Sequence, residues 1–571
     1  MSSFTQATAI IDDFVRTFYP PTNEDVVGID SPSSSPPTQI EPPPSPQDNR
    51  RNVPLLSALG QVSCCTIQAP LQMPLFDNSA MDGYAIRSWQ TADASPANPL
   101  TFRVLGSIAA GDEPPVVPAG SDPSERTCWA IMTGAAFPVS VEQHGQPVVS
   151  GPDRYDACVK LELVTARYAQ HLTYPESITL TSVVGPEANR RRAGEDIHVG
   201  DVLLQQGEVV RKEHVMVLAS MGIQALHVST RPATERQHAG RRLRIGILNT
   251  GKEVVLNLNS PTAPDDDSSL RDPKPDPTLS PWTPAHALPT PPSSRSPSLS
   301  SLPRARAQLG VSQIWNSNGP YIHASLLTWG FPQDDIDVLP IRLLPGQDGD
   351  DPAAFQATVR AALAAPYDVL ISTGGVSTGV HDYVPASIAA LGGEIGFHKI
   401  QMRPGGPMMF AHMGNGRRTD AGAGAGAGAG GRTAYFGLPG NPVAAAVCLR
   451  FLVGPALVAM RAGGGDDHGL TLPRGRTVRI RAEESRHLAN NVVVVVQRKP
   501  ALSRMYVAAR VCAGTRGADD RDGVLEVEAL ARGSNMTRAL TRADGWVCFP
   551  EGEARDTVYD GDLVEWFSLD L

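Results

Sequence analysis

Apolar residues at Ile10, Ile11, Phe14, Val15 and Phe18 recur at spacings of three and four, which predicts a helix over 7–19 with one buried face. Between 100 and 183 the pattern shifts to short β-like runs separated by turns. Phe102–Ile108, Cys128–Met132, Ala157–Val164 and Ser177–Val183 are the predicted strands. A helix over Glu213–Met221 and a strand over Ala225–Ser229 follow. From Arg242 the rhythm is apolar strand, glycine turn, helix. Arg242–Leu248 ends in NTGKEVV, Val338–Leu343 precedes a helix over Ala353–Ala364, and YDVLISTGG begins at Tyr367. Such alternation predicts a doubly wound parallel sheet, whose ligands sit beyond the carboxyl ends of the strands. Strand-like pieces at Met408–Met413 and Thr433–Phe436 lead to a long helix opened by Asn441 and Pro442. After about Leu470 the runs VRIRAEE, NVVVVVQRK, MYVAARV and VLEVEAL predict a small C-terminal β-barrel.

Length and composition add breaks to this pattern. A chain of 571 residues is too long for one core and suggests roughly three or four domains. Its 53 Gly and 51 Pro exceed ordinary usage, so much of the length is loop or linker. Residues 20–52 and 257–308, rich in Pro, Ser and acid, cannot bury enough apolar surface to order themselves. AGAGAGAGAGG within 414–432 reads as a tether between two strands. The expected organisation is a linker domain (53–99 and 184–238, with the helix of 1–19), an inserted β-rich domain (100–183), an α/β domain (239–465) and a β domain (468–571).

A net charge of −10 with scattered basic residues argues against nucleic acid as the main partner. Seven cysteines without a CxxC pair, and thirteen histidines without a metal-binding spacing, argue against a disulfide framework or a zinc site. The N-terminus does not read as a targeting peptide. The most apolar run, Val447 to Met460, is shorter than the ~20 residues that span a bilayer. The expectation is a cytosolic protein without membrane insertion.

The stretch PLFDNSAMDGYAIRS, Pro74 to Ser88, is polar and glycine-containing where a core strand would be apolar. By itself it reads equally as a loop bonded to its own backbone or as a carboxylate-bearing wall of a cleft. Further along come AAGDEPP, IMTGA, YDACVKLE, NRRRAGEDIHVGD, NTGKEVV, STGGVSTGVHDY, MRPGGP and FGLPGNPVAAAV. In this order the strings resemble the MoeA/gephyrin E-domain family, the molybdenum insertases. That resemblance implies an elongated architecture with a MogA-like α/β domain. It also implies an activity: insertion of molybdate into adenylated molybdopterin with Mg2+ and release of AMP.

Carried over position by position, the resemblance implies catalytic roles for Asp82, Thr133, Asp156, Glu195 and Asp382. It implies cofactor contacts from Ser79, Arg191, Thr250, Gly251, Gly374, Gly375, Val376 and Ser377, and from Arg403, Pro439, Gly440 and Asn441. Asp382 and Glu253 would hold the metal. Phosphates favour the backbone N–H groups of glycine turns and helix N-termini, which TGGVSTG and GLPGNP offer. The adenylating G-domain has no counterpart in the sequence, so a separate MogA-like protein would supply the substrate, and a homodimer is implied.

Three positions depart from the family pattern. Lys252 stands where the family has aspartate, Val380 where it has an acid, and Gly406 where it has lysine. The frame is kept while its charges are rearranged. An active transferase is the preferred reading; a paralogue that binds without inserting and a gephyrin-like scaffold stay open beside it.

Overall fold

The computed structural model describes residues 1–19, 50–120, 125–142, 146–148, 150–168, 174–229, 240–255, 309–341, 350–377, 382–418, 430–463, 470, 476–481, 494–497, 504–511, 526–530, 537–549, 557–559 and 563–569. The predicted disorder at 20–49 and 257–308, the centre of the Ala-Gly tether (419–429) and Val380 lie outside them.

Four apolar strands make the parallel part of a six-stranded sheet, in the order Ile336–Leu339, Ile245–Asn249, Val369–Thr373 and Gly430–Leu438. Met409–Arg418 and Glu394–His398 extend it antiparallel. Val369–Thr373 is buried along its whole length, as a strand covered on both faces must be. Alternate side chains enter two different cores. Ile245, Ile247, Val369, Ile371 and Phe436 pack with the helices Asn318–Thr328 and Pro442–Cys448. Leu248, Leu370 and Tyr435 pack with Pro352–Ala364 and Val384–Ala390. Helices thus cover both faces of an α/β sheet.

The N-terminal helix, Phe4–Phe18, is fixed by a capping box: Ser3 accepts from Gln6 N–H, and Gln6 accepts from Ser3 N–H. Its apolar face, Phe4, Ala7, Ile11, Phe14 and Val15, is buried in the core of the α/β sheet. This corrects its expected place in the linker domain. Periodicity shows that a face is covered, but not by what.

Three further boundaries shift. Residues 50–52 belong to the strand Arg50–Pro54, which pairs with Ala225–Ser229, and so are not part of the expected disordered segment. Residues 414–418 and 430–432 continue the Met409–Arg418 and Gly430–Leu438 strands. Gly83–Ile86, counted above with the linker, lies inside the six-stranded sheet of the inserted unit. There it is flanked by Ala157–Lys160 and Thr127–Ile131. Leu100–Ile108 in that sheet alternates buried and exposed, the mark of one covered face.

The linker core, with Leu71, Ile197, Val215 and Leu218, also takes in Trp315 and Ala324 of the α/β unit. The C-terminal strands pair in a ring. Arg504–Val511 pairs with Glu526–Ala529, which pairs with Arg476–Arg481 and onward to Leu563–Ser568 and Gly545–Phe549. Gly545–Phe549 then returns to Arg504–Val511.

The helical run Pro442–Ala462 is longer than its apolar sequence segment suggested. At 21 residues, with mean hydropathy 2.1, it meets the length and composition of a membrane span, yet 94% of its most apolar window is buried inside the protein. Its apolar character is used up by the core.

Candidate functional site

Three glycine turns meet at the carboxyl ends of the parallel strands. Thr250 begins the turn after the strand Ile245–Asn249, and both its N–H and its hydroxyl donate to Thr373 O, at 3.1 and 2.8 Å. Gly374 N–H donates to Leu438 O at 2.9 Å, tying the second turn to the third. A Cβ on Gly440 would lie 3.6 Å from Gly374 Cα, so the third turn touches the second. Asn441 caps the following helix, its side-chain oxygen accepting from Val443 and Ala444 N–H, and its carbonyl accepts from Ala445 N–H. The turns are therefore held mainly by their own backbone, and the helix N-terminus opens beside Gly440.

Within this cradle the expected contacts divide. Gly374 and Gly375 adopt left-handed φ values of 88° and 67°. The Val376 side chain is buried in the core and its carbonyl accepts from His398 Nε2 at 2.7 Å, so it faces inward. Pro439 is buried, while Gly440 is exposed. Ser377 and Asp382 are half-buried on either side of 378–381, which lie outside the described residues, and Asp382 stands two positions before the helix Val384–Ala390. Sequence reasoning missed Asn318. It begins the helix Asn318–Thr328, donates from Nδ2 to Gly440 O at 2.9 Å, and keeps a buried Oδ1 without a hydrogen-bond partner. The string IWNSNGP carries no apolar period at that point, and only the convergence of the turns gives Asn318 meaning.

The inserted unit faces this cradle. Asp82 Oδ1 accepts from Thr133 N–H at 2.8 Å and from its hydroxyl at 2.9 Å, so the SAMDGYA and IMTGA motifs form one surface. Gly134 N–H donates to Ser79 O, and a Cβ on Gly134 would lie 3.8 Å from Ala110 Cβ. Ala110 begins the contact with the α/β unit: next to it, Gly111 packs so closely that a Cβ there would lie 2.8 Å from both Glu253 N and Lys252 Cγ. Lys252 Nζ then meets Asp112 Oδ1 at 2.6 Å. With side chains 20% and 37% exposed, that ion pair is worth about 1 kcal/mol at most. It nevertheless marks where the two halves of the cleft touch.

The other expected residues are engaged elsewhere. Ser79 is fully buried and its hydroxyl donates to Met81 O at 2.6 Å, so it serves its own turn. Asp156 accepts from Ser88 N–H and hydroxyl at 2.7 and 2.6 Å, clamping the inserted sheet. Glu195 accepts from Arg192 N–H and lies 3.7 Å from Arg191 Nε. Next to it, Asp196 accepts from Thr537 N–H and hydroxyl and so joins the linker to the C-terminal unit. Arg403 is exposed in a short strand paired with Arg504–Val511. Gly406, where the resemblance expects lysine, places a hypothetical Cβ 3.3 Å from Met402 O. A side chain there would have to push backbone aside.

Charge in the opening loop is similarly committed. Burial alone would raise the Asp77 carboxyl, but Ala193 N–H and the Arg190 guanidinium hold it below the ordinary carboxylate value. Arg190 donates to Asp77 Oδ2 from Nε at 3.0 Å and Nη2 at 2.6 Å, and stacks over Phe137. Beside them lies a cavity of about 360 Å³, lined in part by Phe76, Phe137 and Arg154, whose guanidinium is also paired with Glu187. Arg190→Ala would leave Asp77 with Ala193 N–H and a longer Arg154 contact, at a cost of about 2–3 kcal/mol for the lost charged hydrogen bonds. The expected result is a melting temperature lower by roughly 6 °C or more. A melt matching the wild type would show that the pair contributes nothing to stability.

Glu253, next to the first glycine turn, has a displaced titration. It is only partly buried as a residue, but its carboxylate folds back over Gly251, where a Cβ would lie 2.5 Å from it. Burial, with a smaller push from Asp350, raises it to about 7 against the opposing effects of its own N–H and Lys252. In the unfolded chain it ionises near 4.5, so its contribution to stability is complete below that pH and is lost as pH rises through about 7. In metal-free buffer, Glu253→Gln should gain stability relative to wild type between pH 5 and 8, by on the order of 3 kcal/mol. Melting curves that shift in parallel across that range would disprove the displaced titration.

Among the described residues no group of three or more His, Cys, Asp or Glu side chains could hold a metal ion. Mg2+ is commonly held by one or two carboxylates together with substrate phosphates and water, and the donor set of Glu253 with the nearby Asp350 fits that pattern.

Residues 33–222 match the family model described as "MoeA N-terminal region (domain I and II)", and residues 307–459 match the one described as "Probable molybdopterin binding domain". A molybdopterin molybdenumtransferase of Synechococcus elongatus is 29% identical over 413 residues, covering 72% of this chain and 75% of its own length. One from Haemophilus influenzae is 27% identical over 408 residues, with 71% and 72% covered. The crystal structure of a molybdopterin biosynthesis MoeA protein from Pyrococcus horikosii covers 91% of this chain and 94% of its own. At 20% identity and a TM-score of 0.34, that superposition is too loose to add to the fold described above. Two family models in succession, and relatives aligned over more than two thirds of both chains, show that this chain belongs to the MoeA family.

Proposed function

We propose that the protein is a molybdopterin molybdenumtransferase that inserts molybdate into adenylated molybdopterin, releases AMP and acts in molybdenum cofactor biosynthesis. The observation that carries this reading is the convergence of Thr250–Gly251, Gly374–Gly375 and Gly440 at one end of the parallel sheet. Most of that cradle lies in the segment matching a molybdopterin-binding domain. Backbone N–H groups at these turns suit a pyrophosphate, and the N-terminus of the long helix adds favourable dipole. Asp82 and Thr133 stand on the facing wall, where a reacting oxyanion would lie.

Bound Mg2+ would neutralise pyrophosphate charge as AMP departs, and Glu253 with Asp350 would hold it. The ring of C-terminal strand pairings supports a small barrel in an elongated MoeA-like arrangement. Adenylated molybdopterin would reach this protein from a separate MogA-like enzyme in the cytosol. A homodimer is the proposed assembly, open to light scattering.

The test is direct. The full chain is incubated with molybdopterin-adenylate, molybdate and Mg2+, and AMP and active cofactor are followed. AMP release that requires both molybdate and chain supports the transferase. Binding without AMP release would leave a paralogue that holds molybdopterin, and no binding would leave a scaffold.

A further inference from the structure

We infer that Lys252 is the anion-binding side chain of this cleft, and that Asp112 occupies its ammonium until a polyanionic ligand replaces the carboxylate. The inference rests on reading the glycine turns as a phosphate cradle, but not on turnover.

Lys252 follows Gly251 at the rim of that cradle. The backbone beneath it is fixed, since Thr250 is bonded twice to Thr373 O and Gly374 is bonded to Leu438 O. A cation held at such a rim is placed to meet an anion seated on the turns. Asp112 comes from the other side of the cleft, 140 residues away in sequence. Its Oδ2 accepts from Ala109 N–H at 2.7 Å, so its own turn aims Oδ1 at the ammonium, 2.6 Å away. Gly111 makes the approach possible. Its φ of 87° and missing Cβ let the loop lie against the Lys252–Glu253 backbone.

Asp112 carries one negative charge and is the more exposed partner, 37% against 20%. Partly exposed ion pairs of this kind are weak. A pyrophosphate group carries more charge than Asp112 and also bonds the glycine N–H groups, so it outcompetes the carboxylate. Asp112 is thereby released, and the contact between the inserted unit and the α/β unit loosens as the ligand enters. The substrate class is a pyrophosphate ester, whose charge Lys252 answers.

The two partners then have opposite signatures. Inorganic pyrophosphate is titrated calorimetrically into the full-length wild type, Lys252→Met, Lys252→Arg, Asp112→Asn and the Lys252→Met/Asp112→Asn double variant. Melting curves confirm that each is folded. Lys252→Met should weaken binding about tenfold or more, and Lys252→Arg should stay within about threefold of wild type. Asp112→Asn should tighten binding about threefold to tenfold, and the double variant should follow Lys252→Met. Unchanged affinity in Lys252→Met, weakening in Asp112→Asn, or no pyrophosphate binding to wild type would each overturn the assignment. If this binding pattern holds but no AMP is released from molybdopterin-adenylate, the transferase reading fails and the role of Lys252 stands. If AMP release occurs and Lys252→Met binds pyrophosphate like wild type, the reverse is true.

Discussion

Gly83→Ala is expected to lower the melting temperature by about 10 °C or to leave the protein insoluble. It should also reduce AMP release at least a hundredfold in whatever remains folded. Gly83 opens the strand Gly83–Ile86 and sits opposite Lys160 on one side and Ile131 on the other. A Cβ there would lie 2.0 Å from Val159 O and 2.9 Å from Cys158 Sγ. The nearest obstacle is backbone, so no rotamer change relieves it. Overpacking a core typically costs about 1–3 kcal/mol, and more when strands must separate. The strand has to move away, and it takes with it Asp82, one residue upstream, whose Oδ1 fixes the Thr133 turn. Asp82→Asn provides the contrast. It keeps an acceptor oxygen and the strand, so it should melt within about 2 °C of wild type and lose activity through its charge alone. A Gly83→Ala variant that melts like wild type would show that the close approach is tolerated.

Loop chemistry alone gives the glycine of the MDGYA string no role beyond a polar turn. In the fold that glycine is a strand residue whose missing side chain admits a neighbouring backbone. The same division runs through the molecule. Apolar runs such as VLIST and RLRIGIL disclose buried parallel strands because burial on both faces leaves no other composition. Glycine turns at their ends disclose the cradle for a related reason. The carboxylates are different, because a carboxylate's role is set by its partner. Asp156 spends its oxygens on Ser88 and Asp196 on Thr537, contacts spanning 68 and 341 residues that no local pattern encodes. Lys252 reads in sequence as a reversed charge. In the fold that charge is met by Asp112, which makes restoration of the family's aspartate unfavourable. Lys252→Asp would set two carboxylates against each other and is expected to lower AMP release.

Gly374→Ala should reduce both molybdopterin-adenylate binding and AMP release at least a hundredfold while lowering the melting temperature by only a few degrees. Two separable effects underlie this. The φ of 88° costs an alanine about 1–3 kcal/mol wherever it is enforced. In addition the new Cβ would lie 2.5 Å from Thr250 Oγ1, a hydroxyl already held by Thr373 O at 2.8 Å. Relief of the clash pushes the first turn from the second, and the N–H groups that would face a phosphate lose their common centre. The two effects are separated by Gly374→Ala/Thr250→Ala. Removing the hydroxyl abolishes the steric contact but leaves the backbone strain, so this double variant should recover much of the lost binding and only part of the lost melting temperature. Recovery of the melting temperature without the binding would place the function of the cradle in the left-handed geometry of Gly374 rather than in the spacing of the turns. Recovery of neither would mean that the backbone strain alone governs both. Because Gly440 packs against Gly374 from the third turn, the same displacement reaches the N-terminus of the long helix. That connection is why a single methyl group is expected to cost so much more in binding than in stability.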